Sequence, residues 1–440
     1  MEVVKSPRVV DLVIHARYVV PVEPAGVLER HALVVDGGRI VALVPSAGVD
    51  DAYHARETVE LATHVLMPGL VNTHAHSAMT LLRGVADDLP LKAWLEQHIW
   101  PREGRHVSPE FVRDGTLIAC AEMLAGGITC VNDMYFYPDA SARAYESAGM
   151  RAMIGLPVLD LPTPYAADAN AYLQNGLAAR DLFKRAPRLS FSLAPHAPYT
   201  VGDDTWRKVA MYAHQLDLPI QTHVAETRKE VDDARATGER PLARLARLGA
   251  TGPGFVAIHA VHLDEPDIDL LAAHGCNVVH CPASNMKLAS GIAPVAALRA
   301  RGINVALGTD GAASNNRLDV LAEMRLASLL AKVSTYDAAA LPAAEVLRMA
   351  TLGGAQALSL ADDIGTLTAG KQADVVAIDL GGLDSQPVYD PVSHLVHVAA
   401  RSDVTHAWVA GSAVVADRRL ATLDEAGLLA RAHMWQSRLR

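Results

Sequence analysis

Short apolar runs recur along the chain every few dozen residues, and most of them close on polar groups. Eight of them follow residue 65: LMPGLVNTH near 66–74, GITCVNDMY near 127–135, RAMIGLPVL near 151–159 and LSFSLAPH near 189–196, then PIQTH near 219–223, GFVAIH near 254–259, NVVHCPAS near 277–284 and NVALGTD near 304–310. Runs of this length without strict alternation predict strands buried on both faces. The segments between most of them predict helices. LDVLAEMRLASLLAK, from Leu318 to Lys332, has apolar positions three and four apart and charged residues opposite. Eight strand–helix repeats are the number that closes a (β/α)8 barrel of the α/β class, the TIM-type barrel.

The two ends of the chain carry a different pattern. DLVIHARYVVPV and HALVVDGGRIVALVP read as short strands, with DGG marking a hairpin. After residue 365 similar strands return in KQADVVAIDL, VSHLVHVAA and THAWVAGSAVVAD. At 440 residues the chain exceeds an ordinary barrel of about 250 residues. The expected division is therefore 1–65 as the first part of a small β-sandwich and 66–365 as the barrel. Residues 366–440 supply the rest of the sandwich and a terminal helix.

Charge and composition narrow the partners. A formal charge of −10 with no dense Lys/Arg cluster argues against nucleic acid. No run approaches the roughly 18 apolar residues that would span a bilayer. MEVVKSPRVV lacks the apolar stretch and cleavage site of a signal peptide. Cys120, Cys130, Cys276 and Cys281 form no CxxC, as expected of reduced thiols in a cytoplasmic protein. A small-molecule substrate is the expected partner, with a homo-oligomer left open.

The polar groups that close the runs are chemically selective. His74 and His76 in VNTHAH share one side of a strand by its period of two. His223 and Glu226 in QTHVAET, His259 in AIHAVH and Asp310 in GTDG end three further strands. Barrel active sites lie at these C-terminal strand ends. An HxH alone is weak evidence, but four imidazoles and two carboxylates at one end of a barrel point to a metal site. No Lys or Glu in the third and fourth strand segments could bridge two ions, so a single divalent ion is expected. The donor set suits zinc, one per chain, with iron, manganese and nickel as less suited alternatives. His259 is read either as a direct ligand or as a partner of the bound water. An open zinc site brings its water to a pKa of about 7. Glu226 and Asp310 would then serve as proton donor and acceptor, which points to hydrolytic displacement at carbon, most naturally a deamination.

Longer stretches carry a resemblance: PGLVNTHAHSAMTLLRGVADDLPLKAWLEQHIWPREGR, APHAPYT, QTHVAET, HAVHLD, PASNMKLASGIAPV and GTDGAASNN. In these the chain resembles the amidohydrolase superfamily, and within it the 5′-methylthioadenosine/S-adenosylhomocysteine deaminase branch, close to the triazine hydrolases. The resemblance implies metal ligands at His74, His76, His223 and Asp310, a proton-shuttling Glu226, and a water-orienting His259. It also implies substrate contacts at Trp94, Glu103 and His196, with Glu103 on the ribose hydroxyls.

The activity so implied is zinc-dependent deamination of an adenosine-type nucleoside, 5′-methylthioadenosine to 5′-methylthioinosine and ammonia, with adenosine or S-adenosylhomocysteine as lesser substrates. The resemblance implies that members accepting S-adenosylhomocysteine hold its carboxylate with arginines after the third strand. Here Ala152 to Ala179 contains no Arg or Lys. The alternatives are a triazine-type hydrolase, a guanine or cytosine deaminase, or a non-catalytic barrel with a structural metal.

Overall fold

The computed structural model describes residues 7–440; residues 1–6, the start of the 1–65 segment and most of the MEVVKSPRVV stretch, lie outside the described residues. Eight parallel strands pair in chain order: Leu70–Ala75, Ile128–Met134, Arg151–Val158, Leu189–Pro195, Ile220–Val224, Phe255–His259, Asn277–His280 and Asn304–Leu307. Nearly every residue in them is buried, which explains why they read as continuous apolar runs rather than alternating ones. The helix expected over Leu318 to Lys332 spans Val320–Thr335, and the Asp319 side chain accepts from Ala322 N–H at its start.

Three side-chain hydrogen bonds and one backbone bond, rather than a strand ladder, carry the contact between the first and last strands. Thr73 Oγ1 donates to the Leu307 carbonyl at 2.7 Å, and Asp310 N–H donates to the His74 carbonyl at 3.0 Å. The Asn72 amide donates to Thr309 Oγ1 at 2.8 Å and accepts from Thr309 N–H at 3.0 Å. This seam joins the strand that carries the two paired histidines to the one that leads to Asp310.

Both ends of the chain enter a second, mixed sheet of eight strands. Its centre is Tyr53–Pro68, parallel to Arg8–Val19 on one side and antiparallel to Val375–Asp379 on the other. The DGG hairpin joins Leu28–Asp36 to Arg39–Pro45, with Gly37 and Gly38 at φ 58° and 75°, the left-handed pair that a two-residue hairpin turn requires. The sheet curls on itself, since Ala373 N–H donates to Gly38 O and Gly370 N–H to Ile40 O. Leu12, Ile14, Leu33, Val35, Val375 and Trp408 fill the space so enclosed. Arg151 and Asp374, both buried, tie this sheet to the barrel through bonds of 2.7 and 2.9 Å.

One expected strand is a helix. VSHLVHVAA contributes to Pro391–His397, which packs against the helices Val320–Thr335 and Ala343–Met349. Asp390 explains the difference: its carboxylate accepts from Val392 and Ser393 N–H, and Pro391 occupies the first helical turn. The apolar pair Leu395 and Val396 is buried by helix packing, a fate that a short apolar run shares with a strand. All four cysteines are buried and unpaired. Among the described residues no helix is long and apolar enough to cross a membrane.

Candidate metal centre

The C-terminal ends of the barrel strands bring the candidate donors together. His74 Nε2 lies 3.1 Å from His223 Nε2 and 3.3 Å from Asp310 Oδ1, and His76 Nε2 lies 3.2 Å from the same oxygen. His76 Nδ1–H donates to the Met134 carbonyl at 2.6 Å, and His223 Nδ1–H to the His196 carbonyl at 2.7 Å. A carbonyl only accepts, so each ring, in its neutral form, turns an Nε2 lone pair inward. His74 Nε2 and His223 Nε2, 3.1 Å apart, would repel as two bare lone pairs, so a proton or a cation belongs between them. Bonds of about 2.0–2.1 Å around a tetrahedral ion place ligand atoms roughly 3.3–3.4 Å apart, close to the spacing found here. The donor set fits a single divalent cation.

Electrostatics agree with that fit. Burial draws His74 down to about 4 and His223 well below its ordinary value, so both are neutral, ligand-competent imidazoles near pH 7. Burial opposes charge on His76 too, but its bond to Asp310 and the carboxylate's charge lift it to about 9. Asp310 is likewise penalised by burial, and the bonds from His74 and His76 hold it well below the usual carboxylate range. The cluster thus favours one positive charge at its centre.

Backbone geometry is specialised at the same strand ends. Ala225, His259, Ala260 and Asp310 take φ of 52°, 69°, 46° and 62°, a region that non-glycine residues seldom occupy outside sites that need it. Gly308 lets the last strand pass His74, since a β-carbon there would lie 2.9 Å from both His74 Cβ and His74 N. Asp310 Oδ2 accepts from the hydroxyls of Ser284 and Ser314, each at 2.7 Å. His259 Nδ1 pairs with Asn285 Oδ1 at 2.9 Å, and a donor atom of its ring falls within 4.8 Å of those of His74 and His223.

A cavity of 320 Å³ opens above this centre, with His76, His223, Glu226, His259 and Asp310 among its lining residues. Burial raises the Glu226 carboxyl above its ordinary range, and the Asp310 charge adds to the effect. Trp94 and Glu103 also line the cavity, from a segment whose helix is interrupted by a π-helical turn at Leu95–Ile99. Tyr135 OH donates to Glu103 Oε1 at 2.7 Å. Burial raises the Glu103 pKa, and that hydrogen bond pulls against the rise. His196 lines the wall. The Thr200 hydroxyl donates to the Ala197 carbonyl at 3.1 Å, so His196 Nδ1–H donates to Thr200 Oγ1 at 3.0 Å and Nε2 keeps its lone pair. Burial lowers this imidazole to about 4. Leu91, Trp100, Leu161, Pro162 and Pro164 give the cavity an apolar boundary, and among the described residues no Arg or Lys lines it.

Of the nine candidate residues, eight therefore line the same cavity, and His74 is wholly buried beside them. Sequence reasoning missed Tyr135, Ser284, Asn285 and Ser314. The last three fall within the stretches PASNMKLASGIAPV and GTDGAASNN, where their polar side chains next to strand ends were the available signal.

Comparison with known proteins is consistent with this geometry. The Amidohydrolase family matches residues 65–414. A 5-methylthioadenosine/S-adenosylhomocysteine deaminase from Saccharophagus degradans is 46% identical over 438 residues, covering 99% of this chain and 98% of its own. A 5′-deoxyadenosine deaminase from Methanothermobacter thermautotrophicus is 42% identical over 408 residues, covering 91% and 93%. The crystal structure of a zinc-bound adenosine deaminase from Xanthomonas campestris superposes with a TM-score of 0.97 at 49% identity, over 99% of each chain. A triazine hydrolase structure, at 24% identity and a TM-score of 0.90, shares the fold.

Proposed function

The chain belongs to the amidohydrolase family, and from that membership we propose that it is a zinc-dependent deaminase of adenosine-type nucleosides whose preferred substrate is 5′-methylthioadenosine. The observation that carries the reading is the convergence of three imidazoles and one carboxylate at 3.1–3.3 Å in a cavity that also holds Glu226 and His259. His74, His76, His223 and Asp310 would hold one ion. When bound, such an ion activates water near neutral pH and polarises the carbon under attack.

The chain's own residues account for the remaining work. Glu226, whose carboxyl burial raises above its ordinary range, lines the cavity and serves as the group that delivers a proton to N1 of the adenine ring. His259, steadied by Asn285, orients the attacking water, and Asp310 accepts its proton. Water adds at C6, the amino group leaves as ammonia, and the inosine analogue remains. The Glu103 carboxylate accepts from the ribose hydroxyls, Trp94 packs against the nucleoside, and His196 Nε2 accepts a further substrate donor.

The apolar wall at Leu159, Leu161, Pro162 and Pro164 suits a methylthio group. A substrate carboxylate there would lack a charge-assisted partner, a loss of about 1.5–3 kcal/mol. Adenosine and S-adenosylhomocysteine are accordingly the lesser substrates. A structural metal is normally closed by four protein ligands with no access, whereas this cavity reaches His76, His223 and Asp310. The test is ammonia release by the zinc-loaded protein with methylthioadenosine, adenosine, S-adenosylhomocysteine, guanine, cytosine and a triazine. The expected order of kcat/KM is methylthioadenosine first. A higher value for S-adenosylhomocysteine would overturn the ranking, and turnover of only guanine, cytosine or the triazine would overturn the substrate class.

A further inference from the structure

The Glu230 carboxylate has no part in the chemistry above, yet it shapes the turn that carries Glu226. Its Oε1 accepts from Ala225 N–H and its Oε2 from Glu226 N–H, both at 2.9 Å. Its own N–H donates to Thr227 Oγ1 at 3.2 Å, the N-cap of the helix Arg228–Ala236. In an ordinary capping box the acidic side chain returns to the N–H of the cap residue. Here it passes over Thr227 and holds the two residues before it, which the helix does not need.

That reach depends on Ala225, whose φ of 52° turns two consecutive N–H groups toward one carboxylate. The Ala225 carbonyl accepts in turn from Val261 N–H at 3.0 Å and His262 N–H at 2.9 Å. These belong to the turn after His259, where His259 and Ala260 are also left-handed. One strained residue thus joins Glu230 to the strand ends that bear Glu226 and His259. Both of those side chains line the cavity, and Glu230 does not.

We propose that Glu230 is a positioning residue that sets the Glu226 side chain by clamping the Ala225–Glu226 backbone, and through Ala225 steadies the turn after His259. This rests on the role given to Glu226 above. Glutamine at 230 keeps the size but offers one acceptor for two N–H groups and turns an NH2 toward the other.

The test compares Glu230→Gln, Glu230→Asp, Thr227→Ala, Glu226→Gln and the double variant E226Q/E230Q in the full metal-loaded chain. E230Q should lower kcat about 10- to 100-fold, the usual effect of losing a group that orients an active-site residue. KM should stay within about threefold and metal content should be unchanged. T227A, which loses the helix cap alone, should keep kcat within about twofold. In the E226Q background E230Q should cost no more than about twofold, because the group it positions is already disabled. Hydrogen exchange of the amides in 221–227 should quicken in E230Q. If E230Q fails to fold, the same split of kcat from KM is read in E230D.

An equal loss from E230Q in wild type and in E226Q would overturn the proposal, as would unchanged exchange in 221–227 or a T227A loss as large as that of E230Q. Absence of ammonia release by the unmodified enzyme would instead refute the substrate reading, and the exchange measurement would still decide for or against the clamp.

Discussion

Replacing Glu103 by Gln removes the charge proposed to receive the ribose diol and leaves the side chain's size alone. Glu103 is half-buried, and Oε1 already accepts from Tyr135 OH at 2.7 Å, so one full oxygen and one lone pair remain for substrate. A hydrogen bond to a charged acceptor is worth about 1.5–3 kcal/mol, and every 1.4 kcal/mol is tenfold. E103Q should therefore lower kcat/KM for methylthioadenosine by about 12- to 140-fold. The assay is ammonia release with methylthioadenosine beside its 2′,3′-dideoxy counterpart, which has no diol to lose, and only the first should suffer. Tyr135→Phe adds a test of sign. Burial raises the Glu103 pKa and the tyrosine hydroxyl opposes that rise, so removing the hydroxyl lifts it further. The binding form is the carboxylate, which is lost as pH falls through the pKa. The acid limb of kcat/KM should consequently move to higher pH in Y135F. An equal loss of E103Q on both substrates, or a limb that moves downward, would refute the assignment.

Glu226→Gln should leave metal content intact while turnover falls by about two to four powers of ten, the range of general acid–base contributions; steady-state kinetics beside metal analysis checks it, and unchanged turnover counts against the role. Gly308→Ala should force a β-carbon against His74 at 2.9 Å, destabilise by about 1–3 kcal/mol and weaken metal affinity, read by denaturant unfolding and metal titration. Chelation should lower the thermal midpoint, since a ligand at 100 times its Kd contributes about 2.7 kcal/mol; an unmoved midpoint would argue against a bound ion. Burial pushes Glu323 up to about 8, against donors from Ala283 N–H and Asn315 Nδ2. The folded chain then holds this proton more tightly than the unfolded one, so the residue contributes a loss of stability as pH rises from its ordinary 4.5 towards 8. Glu323→Gln should flatten that part of the profile in urea unfolding, and an unaltered slope would contradict it.

The eight barrel strands were legible because each is buried on both faces, so its apolar run stands out against polar loops. The ligand candidates were legible for a related reason: a His or Asp that ends such a run has its position along the barrel axis fixed by the strand before it. VSHLVHVAA was misread because an apolar run of that length suits a strand and a buried helix equally, and the Asp390–Pro391 start signal decides between them. Tyr135 escaped notice because its value lies in a bond to Glu103, 32 residues away, and nothing local marks it.

The chain by itself determined the repeat, the strand ends and the residue types able to bind a cation, since these follow from local periodicity and side-chain chemistry. Only the tertiary structure decided that His74, His223 and Asp310 lie 3.1–3.3 Å apart, that Glu103 leans on Tyr135, and that Glu230 grips the Ala225–Glu226 turn. Those facts depend on the closure of the barrel and on left-handed backbone at three strand ends. Such strained geometry persists only where surrounding packing over-determines it, and that packing joins residues up to hundreds of positions apart.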